Sequence, residues 1–284
     1  MSPAPDRYAV LGNPVAHSQS PFIHAEFARQ TGQRIDYTGV LCAMDGFADA
    51  VRDFAASGAR GCNVTMPFKF QSAALARQVT PRAALAEAAN VLCFDADGWL
   101  ADNTDGVGLV RDLQVNAGCR LQGLRVLLIG AGGAAAGVLG PLIEALPAQL
   151  HVANRTPDKA QALLRRHAGL AARCGVALSA GGLDDAGTAY DVVLNSSASS
   201  LGGVASPVGD AVLEPGSLAV DLMYGAAARP FLAWAEGRGA RARDGLGMLV
   251  EQAAEAFFLW RGVRPGTADV LQRLRRHLDT TTPR

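Results

Sequence analysis

A run of apolar residues near the middle of the chain leads into a glycine turn suited to holding phosphate groups. Val126 to Ile129 are apolar, and Gly130-Ala131-Gly132-Gly133 follows at once. In a strand–turn–helix unit, the first glycine permits the tight turn and the second lets the backbone approach a pyrophosphate. The start of the next helix adds unpaired N–H groups and a partial positive charge. The spacing therefore predicts a dinucleotide-binding unit.

The same stretch has two other interpretations. Val126 to Ile143 is uncharged over eighteen residues, which is long enough to suggest a membrane-spanning helix. Its five glycines and Pro141 disfavour that interpretation, because both residue types weaken helices. A plain glycine turn in an α/β domain is the second alternative. The residues about twenty positions later distinguish such a turn from a dinucleotide-binding unit.

Those residues are Asn154 and Arg155, with Lys159 one helical turn further on. They follow a strand predicted over 150–153, at the place where an NAD-specific site carries an acid for the ribose 2′-hydroxyl. Two cations without that carboxylate suit a 2′-phosphate instead. The alternative is that Thr156 merely starts a helix among solvated charges, which leaves the missing acid unexplained. The pattern favours NADP over NAD.

Two serines, Ser18 and Ser20, stand two residues apart before a helix predicted to extend to about Gln30. Ser20 precedes Pro21, which is a common arrangement at a helix N-cap, so capping alone accounts for Ser20. Ser18 has no such role. Together the two hydroxyls are suited to hold a carboxylate.

Three further polar residues stand at positions that call for an explanation. Lys69 follows a strand predicted over 61–65 and starts a helix, where the dipole disfavours a cation, so it is either solvated or placed for a reason. Asp105 stands in a first helical turn, where acids are ordinary. Gln252 lies on an otherwise apolar helix stripe, and therefore needs a buried partner or a ligand.

The elements that position these residues alternate between strand and helix. Strands are predicted over 8–11, 35–41 and 61–65, with a helix across about 45–57, and this order implies a parallel sheet. An alanine-rich helix over 82–89 and a hairpin around Asp95-Ala96-Asp97-Gly98 follow. Beyond the glycine turn, strands are predicted over 150–153, 191–195 and 218–222, and Asp244 to Gly247 leads into a helix ending near Arg261.

The net charge and the residue composition argue against several classes of protein. The net charge is +0, so nothing in it favours nucleic acid or an anionic membrane as a partner. The N-terminus shows no export signal, and the five cysteines are scattered without a CxxC pair. We therefore expect reduced thiols in a cytoplasmic protein, and no bound metal because the histidines lack an HExxH spacing.

Six stretches, in order over nearly the full chain, resemble the shikimate dehydrogenase family. They are YAVLGNPVAHSQSPFIH, GCNVTMPFK, DNTDGVGL, IGAGGAA, ANRTPDKA and DGLGMLVEQAAEAF. The resemblance implies two α/β domains with the active site in the cleft between them. Residues 1–105, completed by the C-terminal helices 246–284, would form a substrate domain with a mainly parallel sheet. Residues 106–245 would form a Rossmann-like, doubly wound NADP-binding domain.

The resemblance also implies residue roles. Ser18 and Ser20 would hold the substrate carboxylate, and Lys69 and Asp105 would form the catalytic pair. The ring hydroxyls would contact Thr65, Lys69, Asn90, Asp105 and Gln252, and Tyr224 matches a substrate-side tyrosine. The implied NADP contacts are Gly130, Ala131, Gly132, Gly133, Ala134, Asn154, Arg155, Thr156, Lys159, Leu222 and Gly245.

Three positions depart from the family pattern. Ser196-Ser197-Ala198 replaces the usual Ala-Thr-Ser, Val91 stands where threonine is common, and Phe70 stands where an acid commonly follows the lysine. All three are adjacent to the implied ligand contacts. They bear on the detail of the cofactor loop and on rates more than on the reaction.

The activity expected from the resemblance is NADPH-dependent reduction of 3-dehydroshikimate to shikimate, in the pathway to chorismate and the aromatic amino acids. One alternative is a quinate/shikimate dehydrogenase that uses NAD, which the serine pair and Arg155 disfavour. Another is a catalytically silent cofactor-binding regulator, which should have lost Lys69 or Asp105. No nucleic-acid or membrane partner is expected, and the chain would be a monomer or a homodimer. Lys69 would act either as a general acid/base or mainly as an orienting cation.

Overall fold

The computed structural model describes residues 4–203 and 205–281, which divide into two compact units. The first unit contains residues up to Gly108 together with Val250–Thr281, and the second contains Leu109–Leu249. Each unit is built on its own sheet, so the two-domain α/β class is confirmed.

The first unit begins with the predicted strand–helix alternation. Its elements are β1 (Asp6–Gly12), α1 (Ser20–Thr31), β2 (Ile35–Leu41), α2 (Phe47–Ala56), β3 (Gly61–Val64), α3 (Lys69–Ala73), β4 (Gln78–Val79), α4 (Pro81–Ala86), β5 (Val91–Cys93) and β6 (Leu100–Asp102). Its remaining helical residues are 105–108 of α5 (Asp105–Arg111), 250–261 of α9 (Leu246–Arg261) and all of α10 (Ala268–Thr281). The described strands form one sheet in the order β2-β1-β3-β5-β6-β4.

The pairing within this sheet is mixed. β1 runs parallel to β2 and β3, as the β-α-β-α-β pattern predicts, and β4 runs parallel to β6. The predicted hairpin is confirmed: β5 pairs antiparallel with both β6 and β3. One face of α2 buries Phe47, Val51 and Phe54, spaced four and three residues apart, against the sheet's core.

Two local expectations in this unit were wrong. The α1 helix begins at Ser20, so Gln19 occupies the cap position and Ser20 is not an N-cap. Helix α4 ends at Ala86 and does not extend to residue 89, because Glu87 adopts a left-handed φ of 52°. Neither a proline nor a glycine marks that end in the sequence.

The second unit is a doubly wound nucleotide-binding fold. Its strands and helices are β7 (Arg125–Ile129), α6 (Gly133–Glu144), β8 (Gln149–Ala153), α7 (Pro157–Cys174), β9 (Ala177–Gly181), β10 (Tyr190–Asn195), β11 (Leu213–Asp221), α8 (Arg229–Glu236) and β12 (Arg241–Asp244). The strand order is β12-β11-β10-β7-β8-β9, and every pair is parallel. This is the order 3-2-1-4-5-6 typical of dinucleotide-binding domains, which bind ligands where the order reverses, beside β7.

The apolar run near the middle of the chain is therefore a buried strand, a turn and a helix. Val126 to Ile129 are fully buried in the central strand β7, and Gly133 is the first residue of α6. Within residues 4–203 and 205–281, no helix has both the length and the apolar character needed to cross a bilayer.

Candidate active site

A lysine–aspartate pair lies at the start of two helices of the first unit. Lys69 is the first residue of α3 and Asp105 is the first residue of α5. The Lys69 ammonium donates to Asp105 Oδ2 at 2.6 Å, with only 17% and 5% of the two side chains exposed. The backbone N–H of Asp105 donates to Asn103 Oδ1 at 3.1 Å. An acid at a helix start is favoured by the dipole, so Asp105 is well placed to hold the disfavoured cation.

Asn90 lies beside this pair and is surrounded by acceptors. Its side-chain amide lies 3.0 Å from Asp105 Oδ1, 3.0 Å from Thr104 Oγ1 and 2.9 Å from Gln252 Oε1. Its own oxygen accepts from the Thr104 backbone N–H at 2.8 Å. The Thr104 hydroxyl lies 3.3 Å from both Asn90 Oδ1 and Gln252 Oε1, so it adds a further donor to this shared network.

Gln252 reaches this cluster through a close approach of two helices. It lies on α9, and a Cβ added to Gly108 on α5 would come within 2.6 Å of both the Gln252 Cβ atom and its backbone nitrogen. Only glycine at position 108 allows this contact. The sequence correctly indicated that Gln252 needs a buried partner. Thr104 was expected only as a possible helix cap, and Gly108 had no expected role, although both lie in the run DNTDGVG.

The predicted carboxylate-binding serines lie next to each other. Ser18 Oγ accepts from the Ser20 backbone N–H at 3.3 Å, and Ser20 is buried while Ser18 is half-buried. Thr65 follows β3 directly, and its backbone N–H donates to the Leu11 carbonyl at 2.9 Å. A Cβ on Gly12 would lie 2.2 Å from the Thr65 methyl, so Gly12 makes room for that side chain. Tyr224 lies in the second unit, just after β11, and is half-buried.

The glycine turn of the second unit has the properties that phosphate binding requires. Gly130 has a φ of 106°, and a Cβ there would lie 2.8 Å from Ser196 Oγ. Gly132 is exposed, and a Cβ built on it would meet no atom within 4 Å. Gly133 then begins the twelve-residue helix α6. The open space at Gly132, in front of a helix N-terminus, fits a pyrophosphate.

The residues predicted for the ribose end of the cofactor follow β8. Asn154 Nδ2 donates to the Thr156 carbonyl at 2.9 Å, which orders the turn into α7. Arg155 and Lys159 are both exposed, and neither side chain forms a hydrogen bond or ion pair with another described residue. Thr156 occupies the cap position of α7 but makes no side-chain capping bond. The two cations are therefore available to an anionic ligand.

The other two predicted cofactor residues, Leu222 and Gly245, approach each other closely. A Cβ on Gly245 would lie 2.3 Å from the Leu222 carbonyl oxygen, so glycine is required there. Just before Leu222, buried Asp221 accepts from Asn195 Nδ2 at 3.0 Å, from the Met223 N–H at 2.8 Å and from Ser200 Oγ. Burial raises the pKa of Asp221, partly offset by these bonds. This network escaped the sequence analysis.

The departures from the family pattern have local structural roles. Ser196 Oγ donates to the Ile129 carbonyl at 2.7 Å, next to the glycine turn, and Ser197 Oγ donates to Asn195 Oδ1 at 2.7 Å. Val91 is fully buried in β5, whereas Phe70 is 47% exposed. Among residues 4–203 and 205–281, no group of three or more His, Cys, Asp or Glu side chains is arranged to hold a metal ion.

Comparison with known families covers most of the chain. Residues 10–92 match the shikimate dehydrogenase substrate binding domain. Residues 113–206 match the shikimate/quinate 5-dehydrogenase model, and residues 245–275 match the shikimate 5′-dehydrogenase C-terminal domain. The chain belongs to the shikimate dehydrogenase family.

Individual relatives within the shikimate dehydrogenase family are similar over almost their whole length. A shikimate dehydrogenase (NADP(+)) from Methylibium petroleiphilum is 63% identical, over 96% of this chain and 95% of the relative. The crystal structure of an Ael1 enzyme from Pseudomonas putida is 43% identical with a TM-score of 0.87, covering 95% of this chain and 98% of that one. The shikimate 5-dehydrogenase of Thermus thermophilus, solved in complex with shikimate, is 32% identical with a TM-score of 0.82, covering 96% and 99%.

Proposed function

We propose that this protein is a shikimate dehydrogenase that interconverts 3-dehydroshikimate and shikimate with NADP, on the route to chorismate and the aromatic amino acids. Family membership and the NADP(+)-dependent relatives support the reaction class, an oxidoreductase acting on a CH–OH group.

The observation that carries the proposal is the buried polar cluster around Asn90, next to the Lys69–Asp105 pair. Asp105 Oδ1, Thr104 Oγ1 and Gln252 Oε1 share the two N–H bonds of one amide. The Thr104 hydroxyl also lies 3.3 Å from Gln252 Oε1, so donors and acceptors lie side by side in this buried cluster, and a ligand bound there has to supply both. A hydroxylated ring meets this requirement, because each hydroxyl donates once and still accepts.

Lys69 and Asp105 are proposed to handle the proton at the reacting oxygen. One N–H of the Lys69 ammonium is held by Asp105 Oδ2, which leaves two N–H bonds for a ligand oxygen. In the reduction, Lys69 donates to the ketone oxygen and stabilises the negative charge that develops there. In the oxidation, the same nitrogen lies next to the hydroxyl that loses its proton. Asp105 keeps Lys69 in place in both directions.

The residues of the second unit fit NADP. We propose that Gly130, Ala131, Gly132, Gly133 and Ala134 hold the pyrophosphate, and that Asn154, Arg155, Thr156 and Lys159 hold the 2′-phosphate end. Leu222 and Gly245 are proposed as further contacts. The bound cofactor supplies the hydride donor or acceptor. The substrate carboxylate is assigned to the hydroxyls of Ser18 and Ser20.

The test is an initial-rate measurement by nicotinamide absorbance, crossing shikimate and quinate with NADP and NAD. We expect turnover with shikimate and NADP and much slower rates in the other three combinations. Comparable rates with quinate or NAD would move the protein to the broad-specificity quinate/shikimate enzymes. NADP binding without any turnover would favour the catalytically silent regulator, against which the intact Lys69–Asp105 pair argues.

We further propose a cytoplasmic location, because all five cysteines are free thiols, a state that a reducing compartment preserves. Fractionation of cells with an antibody to the protein tests this. For assembly we propose a monomer or a homodimer, which light scattering distinguishes.

A further inference from the structure

We propose that Arg82 is a positioning residue for the substrate cluster, by which we mean Asn90, Asp105 and Gln252. It keeps the two halves of this cluster in fixed relative positions. One half, Asn90 and Asp105, lies next to the end of β6, and the other half, Gln252, lies on α9. Arg82 contacts an acidic residue on each side. The inference rests on the proposed function, because it concerns the geometry of the proposed shikimate site.

The first arm of this arrangement is a buried, forked ion pair. Arg82 Nε donates to Asp102 Oδ1 at 2.7 Å, and its Nη2 donates to Asp102 Oδ2 at 2.6 Å. The Asp102 side chain is 2% exposed and also accepts from Thr80 Oγ1 at 2.6 Å. A buried carboxylate needs such partners, and a guanidinium meets both of its oxygens at once.

Asp102 in turn fixes the residues on either side of the cluster. Its carbonyl accepts from the Asn90 backbone N–H at 3.0 Å, and its Oδ1 accepts from the Asn103 N–H at 2.7 Å. Asn103 Oδ1 then accepts from the Asp105 N–H. Two of the proposed substrate residues are thus one or two hydrogen bonds away from the Arg82 fork.

The second arm runs to the helix that carries Gln252. Arg82 Nη2 also donates to Glu255 Oε1 at 3.3 Å. Glu255 stands three residues after Gln252 on α9, so the two side chains share one helix face. Arg82 is therefore bonded both to the β6 end and to α9, and it spans the gap across which Asn90 and Gln252 meet at 2.9 Å.

The chain offers a matched control for this residue. Arg264 donates to the other oxygen of Glu255, Oε2, at 2.6 Å, and its side chain is 43% exposed. It shares the acidic partner of Arg82, but it forms no ion pair with Asp102 in the part of the chain that the structure describes. Lysine in place of either arginine keeps the charge, and at position 82 it also removes the fork to Asp102. Only the change at position 82 disconnects Asp102 from Glu255.

The experiment compares Arg82→Lys with Arg264→Lys in the full-length protein. Shikimate and NADP kinetics are measured, together with shikimate binding by calorimetry, NADP binding by fluorescence and the thermal midpoint. For Arg82→Lys we expect kcat/KM for shikimate to fall about tenfold or more, with both a lower kcat and a higher KM, while NADP affinity is unchanged. For Arg264→Lys, kcat, the KM for shikimate and the NADP affinity should each remain within about twofold of wild type.

A third variant separates the two arms. Glu255→Gln leaves the Arg82–Asp102 fork intact and weakens the connection of Arg82 to α9, together with the Arg264 ion pair that Arg264→Lys tests separately. We expect the KM for shikimate to rise while kcat stays close to wild type, because Lys69 and Asp105 keep their geometry. A merely structural role for Arg82 would lower the thermal midpoint of the variants. It would not raise the KM for shikimate in Glu255→Gln while leaving kcat close to wild type.

Two different failures are distinguishable. If wild type oxidises shikimate and folded Arg82→Lys matches Arg264→Lys in kcat and KM, the positioning role of Arg82 is overturned and the proposed function stands. If the wild-type protein neither binds nor oxidises shikimate, the proposed function is overturned, and the role of Arg82 in it falls as well.

Discussion

The two proposed binding regions of this protein use different chemical groups to contact their ligands. In the first unit, recognition groups are side chains that already bond to one another, as Lys69 does to Asp105 and Asn90 does to Gln252. In the second unit they are backbone groups of a glycine turn, together with two exposed cations, Arg155 and Lys159, that have no partner among the described residues. The substrate side is a connected network, and the cofactor side is a set of separate contacts.

This difference has an energetic consequence. Removing one member of a buried network leaves its partners unsatisfied, so effects on the substrate side should be large and non-additive. Removing an exposed cation costs only its interaction with the ligand. Substitutions in the first unit should therefore change turnover, whereas substitutions around Arg155 should change cofactor affinity alone.

The largest effect is expected from Lys69→Met. This change removes the only proposed proton donor and leaves Asp105 a buried carboxylate without its cation. We expect kcat to fall by about 10³-fold, within the range typical of acid–base groups, while NADP affinity is retained. Steady-state kinetics and NADP fluorescence titration measure the two quantities. Near-native turnover in the folded variant would remove Lys69 from the catalytic pair.

A smaller and more selective effect is expected from Arg155→Ala. Losing charge-assisted hydrogen bonds of about 1.5–3 kcal/mol should weaken NADP by roughly 10- to 100-fold. Affinity for NAD, which lacks the 2′-phosphate, should not change. The measurement is the dissociation constant for each cofactor, and Lys159→Ala provides a second cation for comparison. Equal weakening of NAD and NADP would contradict the assignment of Arg155.

Two substitutions in the glycine turn separate an effect on NADP affinity from an effect on the stability of the fold. A methyl group at Gly132 meets no atom, so Gly132→Ala should fold normally but weaken NADP about tenfold by occupying the space next to the pyrophosphate. Gly130→Ala is the matched control. There the positive φ and the 2.8 Å approach to Ser196 Oγ should cost about 1–3 kcal/mol of stability. Unchanged NADP affinity in Gly132→Ala would place the pyrophosphate elsewhere.

The smallest effect concerns His24, in the core of the first unit. His24 is fully buried and stacks on Tyr37 with ring centroids 4.2 Å apart, and burial lowers its pKa from 6.5 to about 3. Because the unfolded chain then binds the proton more readily, its contribution to stability is complete above about pH 6.5 and is lost as the pH falls towards 3. Between pH 7 and pH 5.5 this amounts to about 1 kcal/mol.

Urea unfolding at several pH values measures this contribution, with His24→Phe as the comparison. The variant has no imidazole to protonate, so the free energy of unfolding should fall less between pH 7 and pH 5.5 than in wild type. Any packing loss from the substitution appears equally at both pH values and cancels. An identical pH dependence in the two proteins would show that His24 takes up a proton as readily in the folded state as in the unfolded chain.

Most of the second unit was predictable because its signals are local. The apolar run of β7, the turn at Gly130 and the residues after β8 all lie within about thirty positions, the length of one βαβ unit. The alternation of strands and helices also predicted the parallel strand pairs, and the turn residues 95–98 predicted the hairpin. In the first unit, local rules failed at Ser20 and at the end of α4, where Glu87 takes a left-handed conformation that no glycine announced.

By itself the sequence determined the two-domain α/β class, the family and the residue types that each proposed site contains, because these depend on short-range pattern and on motifs. Only the tertiary structure decided how Asn90, Thr104 and Gln252 bond to one another, why position 108 is glycine, and which residue joins Asp102 to Glu255. These contacts connect residues up to 173 positions apart in the chain. No local propensity encodes such a pairing, since it forms only when the sheet and α9 are packed together.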